Sequence, residues 1–215
     1  MNGRIPPITI IDYGCGNPTS IQNMYRKLGI EAAISRDPAL IRRSERIVFP
    51  GVGSFDHGAK CIASLGIGEA LRERVIDGGV PLLGICLGMQ LLARRSDEGI
   101  QQGLSWIEGD VVAFDNSRLA PADKVPHMGW ADVDVSRPHP LFEGFHENPR
   151  FYFVHAYHMH CDREEDVAAL AHHGYEFCAA VAKGNVLGVQ FHPEKSHRFG
   201  MRLLSNFASY SFQSP

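Results

Sequence analysis

Pro81-Leu82-Leu83-Gly84-Ile85-Cys86-Leu87-Gly88-Met89-Gln90 sets one cysteine between two glycines, where a short apolar run gives way to a helical pattern. Residues 81–85 read as a buried parallel strand, and Met89, Leu91 and Leu92 begin helical spacing. Gly84 and Gly88 stand at minus two and plus two from Cys86, the layout of a Gly-x-nucleophile-x-Gly elbow with cysteine where hydrolases place serine. Such a turn strains its central residue, and side chains at the flanking positions would collide across it, so glycine is required there. The sulfur is expected at a helix N-terminus, where free N–H groups and the dipole favour thiolate. A lone cysteine is ordinarily a packed core residue. The paired glycines favour a nucleophile instead.

Outward from this elbow, the N-terminal half alternates β-type runs with helical patterns, which predicts βαβ units around a mainly parallel, partly mixed sheet flanked by helices, flavodoxin-like in plan. Residues 8–11 read as a first strand, followed by a glycine-rich turn from Asp12 to Asn17 and a helix carrying Ile21, Met24, Tyr25 and Leu28 that stops at Gly29. Ala32 to Ser35 make a weak second strand, Asp37-Pro38 opens a short helix, and Ile47-Val48-Phe49 is a third strand broken at Pro50-Gly51-Val52-Gly53. Helical patterns then run to Gly78-Gly79. Beyond residue 100, strands are expected near 110–114, 131–135, 151–157, 167–171, 178–182 and 186–191, as an extension of the same sheet. The tail from Arg198 to Phe212 aligns Phe199, Leu203, Leu204, Phe207 and Ala208 on one helical face. No repeat or linker interrupts this pattern, and one domain over 1–215 is the economical expectation.

The 215 residues suffice for a sizeable core, and a net charge of -3 gives no electrostatic case for nucleic acid or an anionic membrane. No apolar run approaches the roughly 18 residues of a membrane span, and Met1-Asn2-Gly3-Arg4 leads directly into a strand-like segment. A cytoplasmic protein is expected. Cys15, Cys61, Cys86, Cys161 and Cys178 are odd in number, scattered, and free of any Cys-x-x-Cys pair, which suggests reduced thiols rather than a disulfide scaffold or structural zinc.

A thiolate acyl-transfer site needs a base, a group that orients it, and oxyanion donors. Gly188-Val189-Gln190-Phe191-His192-Pro193-Glu194 runs as a strand into a proline, placing His192 at a strand's C-terminal end, where open α/β sheets carry their sites. Residues two apart in extended chain share a face, so Glu194 can orient His192. Gly51, Val52 and Gly53, just after a strand, can turn N–H groups into a pocket, and the N–H of Leu87 supplies a second donor. Either segment alone is an ordinary loop; their combination with Cys86 gives them meaning. Among 11 histidines, His155, His158 and His160 with His172-His173 invite a metal. Strand alternation separates His155 from the other two, and no thiolate or carboxylate completes a pattern, so core or interface histidines are expected and no metal site.

With these segments identified, the chain resembles the class I (triad) glutamine amidotransferases, and within them the glutaminase subunits of imidazole glycerol phosphate synthase. The shared features are Ile11-Asp12-Tyr13-Gly14-Cys15-Gly16-Asn17, Pro50 to Gly53, Gly84 to Gln90, Pro126-His127-Met128-Gly129-Trp130, Phe151-Tyr152-Phe153-Val154-His155 and Phe191-His192-Pro193-Glu194-Lys195-Ser196. The resemblance implies that Cys86 attacks the side-chain amide of L-glutamine and forms a γ-glutamyl thioester, with His192 protonating ammonia and activating water. It also implies that Gln90, Glu98 and the backbone of His155, Ala156 and Tyr157 hold the substrate. Gly51 to Gly53 would form a flexible oxyanion strand. Trp130, Tyr152 and Lys195 would face a (β/α)₈-barrel cyclase/synthase subunit that receives ammonia in a heterodimer. No cofactor is implied.

Pro18, Ala93-Arg94, Ala131 and Ala156 depart from the usual pattern of that group, and none touches the proposed triad. Gly103 to Ile107 and Ser196 to Arg202 also resemble a paralogous branch that feeds ammonia to an amidotransferase making amidino sugars of surface polysaccharide. A stand-alone cysteine hydrolase would need no partner, and the Asp-Tyr-Gly and His-Met-Gly-Trp segments argue against it. A silent regulatory subunit is disfavoured because all three triad positions are filled.

Overall fold

The computed structural model describes residues 5–145 and 148–211. β1 (Ile8–Ile11) leads to α1 (Pro18–Lys27), β2 (Ala32–Ser35), α2 (Pro38–Ile41) and β3 (Ile47–Gly51). Then come α3 (Phe55–Ser64), α4 (Ile67–Leu71), β4 (Leu82–Cys86) and α5 (Leu87–Gln90), with a wider π-type coil continuing α4 to Asp77. The remainder is strand-rich: β5 (Gly109–Ala113), β6 (His127–Val135), β7 (Arg150–His155), β8 (Tyr157–Cys161), β9 (Val167–His173), β10 (Tyr175–Lys183) and β11 (Val186–Val189), closed by α6 (His197–Ser209). The opening residues Met1 to Arg4 and the last position of the expected tail helix, Phe212, lie outside the described residues.

The strands form one sheet in the order β2-β1-β3-β4-β11-β10-β9-β6-β7, with β8 joined to β10 and β5 to β8. β2, β1, β3, β4 and β11 run parallel, and the pairings beyond β11 are antiparallel. The parallel part has the 2-1-3-4-5 order of a flavodoxin-like core, with β11 in fifth place, so the expected mixed α/β architecture is observed. β3 and β4 are buried at every residue, as strands covered on both faces must be. On one face Ile21, Met24 and Tyr25 of α1 pack with Leu203, Leu204 and Phe207 of α6; on the other, Phe55 and Ile62 of α3 pack with Ile67 and Leu71 of α4. Each such large side chain contributes about 1.5–3 kcal/mol by leaving water.

Two expectations are corrected in detail. The helix after Cys86 is a single turn, α5, although Leu91 and Leu92 continue its apolar spacing. The carbonyls of Leu91, Leu92 and Ala93 instead accept N–H groups of Leu104, Trp106 and Ser105 at 2.8, 2.9 and 3.1 Å, which anchors a loop where a second turn would have run. The expected strand 151–157 is two strands. β7 pairs with β6, whereas β8 pairs with β5 and β10, and Ala156 is the corner between the two partnerships.

Candidate active site

Cys86 ends β4 with φ 53° and ψ -111°, a left-handed conformation that costs a non-glycine residue roughly 1–3 kcal/mol. Its neighbours explain the glycines. A Cβ on Gly84 would lie 2.8 Å from the Gly88 carbonyl oxygen, and one on Gly88 would overlap the Phe49 carbonyl of β3. The turn is therefore held shut by close backbone approach on both sides, and Cys86 lies in register with Gly51 of the adjacent strand.

His192 follows β11, the strand beside β4 on its other side, and is 1% exposed. Its Nδ1 donates to Glu194 Oε1 at 2.7 Å, which orients the ring; Glu194 reaches it from a 3₁₀ turn, Pro193–Lys195, and not along the extended chain that the spacing suggested. His192 Nε2 and Glu194 Oε2 are buried without a partner. Burial pulls the imidazole pKa down, but Cys86 and then Glu194 favour the protonated form and hold it up at about 10. An orphaned, buried ring nitrogen coupled to a strained cysteine is the arrangement of a base awaiting a substrate.

Cys86, His192, Leu87, Gln90, Glu98, Val52, Gly53 and residues 154–157 line one cavity of about 250 Å³. Val52 and Gly53 reach the cavity directly, Gly53 at φ 103°, while Gly51 is the last residue of β3, behind them. Leu87 is the first residue of α5, so its N–H has no helical acceptor and is available as a donor. Glu98 Oε2 accepts the N–H of Phe55 at 2.8 Å, which ties the cavity wall to the start of α3. Gln90 Nε2 donates to the Tyr157 carbonyl at 3.0 Å and to Gln190 Oε1 at 3.1 Å, leaving its own oxygen for a ligand. The Tyr157 carbonyl also receives His155 Nδ1 at 2.8 Å.

Gln190 was not anticipated. It is fully buried, accepts from Gln90, and donates to Cys86 Sγ at 3.7 Å, so it links the nucleophile to the cavity wall. The signal was present: a polar residue inside an apolar strand, two before His192.

Of the histidines that invite a metal, His155 and His158 are buried, His173 is partly buried, and His160 and His172 are exposed. His155 and His158 both pack on Phe114, at ring distances of 5.3 and 4.8 Å, because the corner at Ala156 cancels simple alternation. His127 stacks on His173 at 4.3 Å. Burial holds His127 down at about 4 and lowers His155 and His158 as well, which favours the neutral form of these three rings.

On the outer ribbon, Trp130 and Tyr152 are cross-strand partners with rings 6.3 Å apart, Lys195 Nζ lies 5.4 Å from the Tyr152 ring, and His197 stacks on Trp130 at 5.5 Å. Trp130 is 40% exposed and Met128 63% exposed, so aromatic and thioether surface faces solvent here. The His192 N–H donates to the Tyr152 carbonyl at 2.8 Å, and Ser196 Oγ receives the Tyr152 N–H at 3.0 Å while donating to the His192 carbonyl at 2.6 Å. This surface and the base thus share a buried hydrogen-bond bridge.

A cysteine elbow on a flavodoxin-like sheet, opposed by a histidine–glutamate pair, is the layout of a thiol acyl-transfer site. The chain belongs to the class-I glutamine amidotransferase family, which matches residues 9–209. It is 46% identical to the imidazole glycerol phosphate synthase subunit HisH 2 of Methanococcus maripaludis over 93% of this chain and 98% of that protein. It is 44% identical to the protein of the same name from Pseudomonas aeruginosa, with the same two coverages. The HisH subunit of Sulfurimonas denitrificans is 45% identical over 94% of this chain and 98% of its own length. In fold the chain is similar to the crystal structure of a glutamine amidotransferase, with TM-score 0.72, 24% identity, and coverage of 94% of this chain and 97% of that one.

Proposed function

We infer that this chain is the glutaminase subunit of an imidazole glycerol phosphate synthase, supplying ammonia for histidine biosynthesis. The observation that carries the chemistry is the strained Cys86 at φ 53° sharing one small cavity with His192, whose Nδ1 is held by Glu194. Near full-length similarity to three subunits of that name supports the pathway.

In this reading the Cys86 sulfur attacks Cδ of the L-glutamine side chain. The oxyanion is met by the N–H of Leu87 and by N–H groups of the Gly51–Gly53 segment. His192 passes a proton to the departing nitrogen, ammonia leaves, and a γ-glutamyl thioester remains. Water, deprotonated by His192, then adds to the thioester; glutamate departs and the thiol is restored. Glu194 stabilises the imidazolium in both steps. Glu98 and the free Gln90 oxygen hold the substrate's ammonium end, and the backbone at His155 to Tyr157 closes the opposite wall.

The relatives' designation as subunits supports an ammonia acceptor on another chain, a (β/α)₈-barrel cyclase subunit in a heterodimer. The exposed Trp130, Met128 and Tyr152 surface with Lys195 supports this docking face. Five free cysteines fit a reducing, cytoplasmic setting. Among the described residues no helix is long and apolar enough to cross a membrane. The Gly51–Gly53 segment is the element that partner binding would bias toward the donating conformation.

Cys86→Ala should abolish ammonia release from glutamine while leaving partner association intact; residual turnover would refute the mechanism. Complementation of a histidine auxotroph lacking this subunit tests the pathway. Failure to complement, with partner-dependent glutaminase activity retained, would redirect the ammonia to the amidino-sugar branch.

A further inference from the structure

Folding brings Cys15, in the turn after β1, against His57 and Cys61 of α3, so that one ligand atom from each lies within 4.8 Å of the others. His57 and Cys61 stand four apart on a helix and share a face. Cys61 Sγ and His57 Nε2 are 3.6 Å apart. Tetrahedral zinc, with Zn–S near 2.3 Å and Zn–N near 2.0–2.1 Å, has an S···N edge of about 3.6 Å.

Tyr13, two residues before Cys15, ties this cluster to the candidate active site. The Tyr13 hydroxyl is buried without a hydrogen-bond partner, its side chain 1% exposed. Tyr13 also lies directly against the oxyanion segment, since a Cβ on Gly51 would overlap its hydroxyl, and one on Gly16 would sit 3.5 Å from the Gly51 Cα. α3 starts two residues past Gly53. The three ligands therefore join the two walls that flank Gly51 to Gly53.

We propose that Cys15, His57 and Cys61 bind a zinc-type divalent ion as two thiolates and one imidazole, and that the bound ion clamps the Gly51–Gly53 segment and lowers glutamine turnover. The two thiol protons pass to solvent as the ion enters, and water fills the fourth position. Thiolate and imidazole donors select zinc over magnesium or calcium. His57 is exposed and Cys61 half-buried, which gives the ion a route from solvent. Sequence spacing predicts no metal here, because Cys15 joins the helix pair only through the fold. The effect on turnover rests on the glutaminase reading above; the metal site does not.

Anaerobic cobalt(II) titration of the Cys86→Ser chain tests the site without the catalytic thiol. One ion per chain should bind with sulfur-to-cobalt charge transfer and tetrahedral d–d bands. Cys61→Ala and His57→Ala, each in that background, should lose this spectrum, with zinc affinity falling by more than the roughly 10–100-fold that an outer-shell change costs. A parent chain without these bands, or bands that persist in Cys61→Ala, would overturn the site. With Cys86 intact and the partner present, zinc should cut turnover by about 5- to 150-fold, the span of ordinary coupling between sites, and spare Cys61→Ala. Equal inhibition of both would assign the effect to Cys86 and overturn the clamp. A cobalt spectrum as expected in a chain that never cleaves glutamine would establish the metal site and sink the glutaminase reading instead.

Discussion

At the scale of single residues, the site combines a backbone strain with a buried charge pair, and each has a measurable signature. Gly88→Ala forces a methyl group into the Phe49 carbonyl. Overpacking of this kind costs about 1–3 kcal/mol, so urea denaturation should show a loss in that range or above, with glutamine turnover falling as the elbow opens. The His192 imidazole, pulled down by burial but held up at about 10 by Cys86 and Glu194, has a definite linkage sign. Its folded pKa lies above the unfolded value of about 6.5, so its stabilising contribution is complete below that pH and is lost as pH rises through about 10. The stability gap between the native chain and Glu194→Gln, followed by urea midpoints at stepped pH, should therefore narrow from neutral pH toward pH about 10. A gap that widens on alkalinisation would reverse the assignment. Gln190→Ala removes the donor on Cys86 Sγ and the acceptor of Gln90, both buried. It should cost about 1–3 kcal/mol in stability, with a disproportionate loss of kcat.

Among elements, the parallel half was legible because its inner strands β3, β4 and β11 are buried on both faces and announce themselves as apolar runs near glycine- or proline-marked turns. The Cys86 elbow was readable because close backbone approach requires glycines at plus and minus two, whereas His192 and Glu194 pair through a 3₁₀ turn where extended chain was expected. What escaped depends on tertiary hydrogen bonds. The Leu91-Leu92-Ala93 stretch keeps helical spacing yet gives its carbonyls to the loop at 103–107, and Ala156 looks like strand until β7 and β8 choose different partners. The Ser196 bridge between β7 and the turn after β11 was invisible for the same reason. Ser196→Ala should leave the Tyr152 N–H buried and unpaired, at a cost of about 1–3 kcal/mol by denaturation. Partner stimulation of glutaminase activity should fall more than the basal rate, because the bridge couples the Tyr152 surface to the base.

For the whole molecule, the antiparallel ribbon β6–β7 carries Trp130 and Met128 at the rim of the same sheet end that holds Cys86, so a partner seated there covers the candidate site. Trp130→Ala should weaken partner binding by about 2 kcal/mol or more if Trp130 is the anchor, as buried interface tryptophans commonly are, with the isolated chain's denaturation midpoint unchanged; calorimetric titration reads this directly. The same topology has a further consequence for the protein during its synthesis. β4 brings Cys86 early, but the neighbouring parallel place is left for β11, and His192 follows only after it. Between the synthesis of Cys86 and that of β11, a growing chain carries its nucleophile on an incomplete sheet, with His192 not yet made and β4 unpaired along one edge. β11 is the last strand to be made, and its place beside β4 is what brings His192 into the cavity with Cys86.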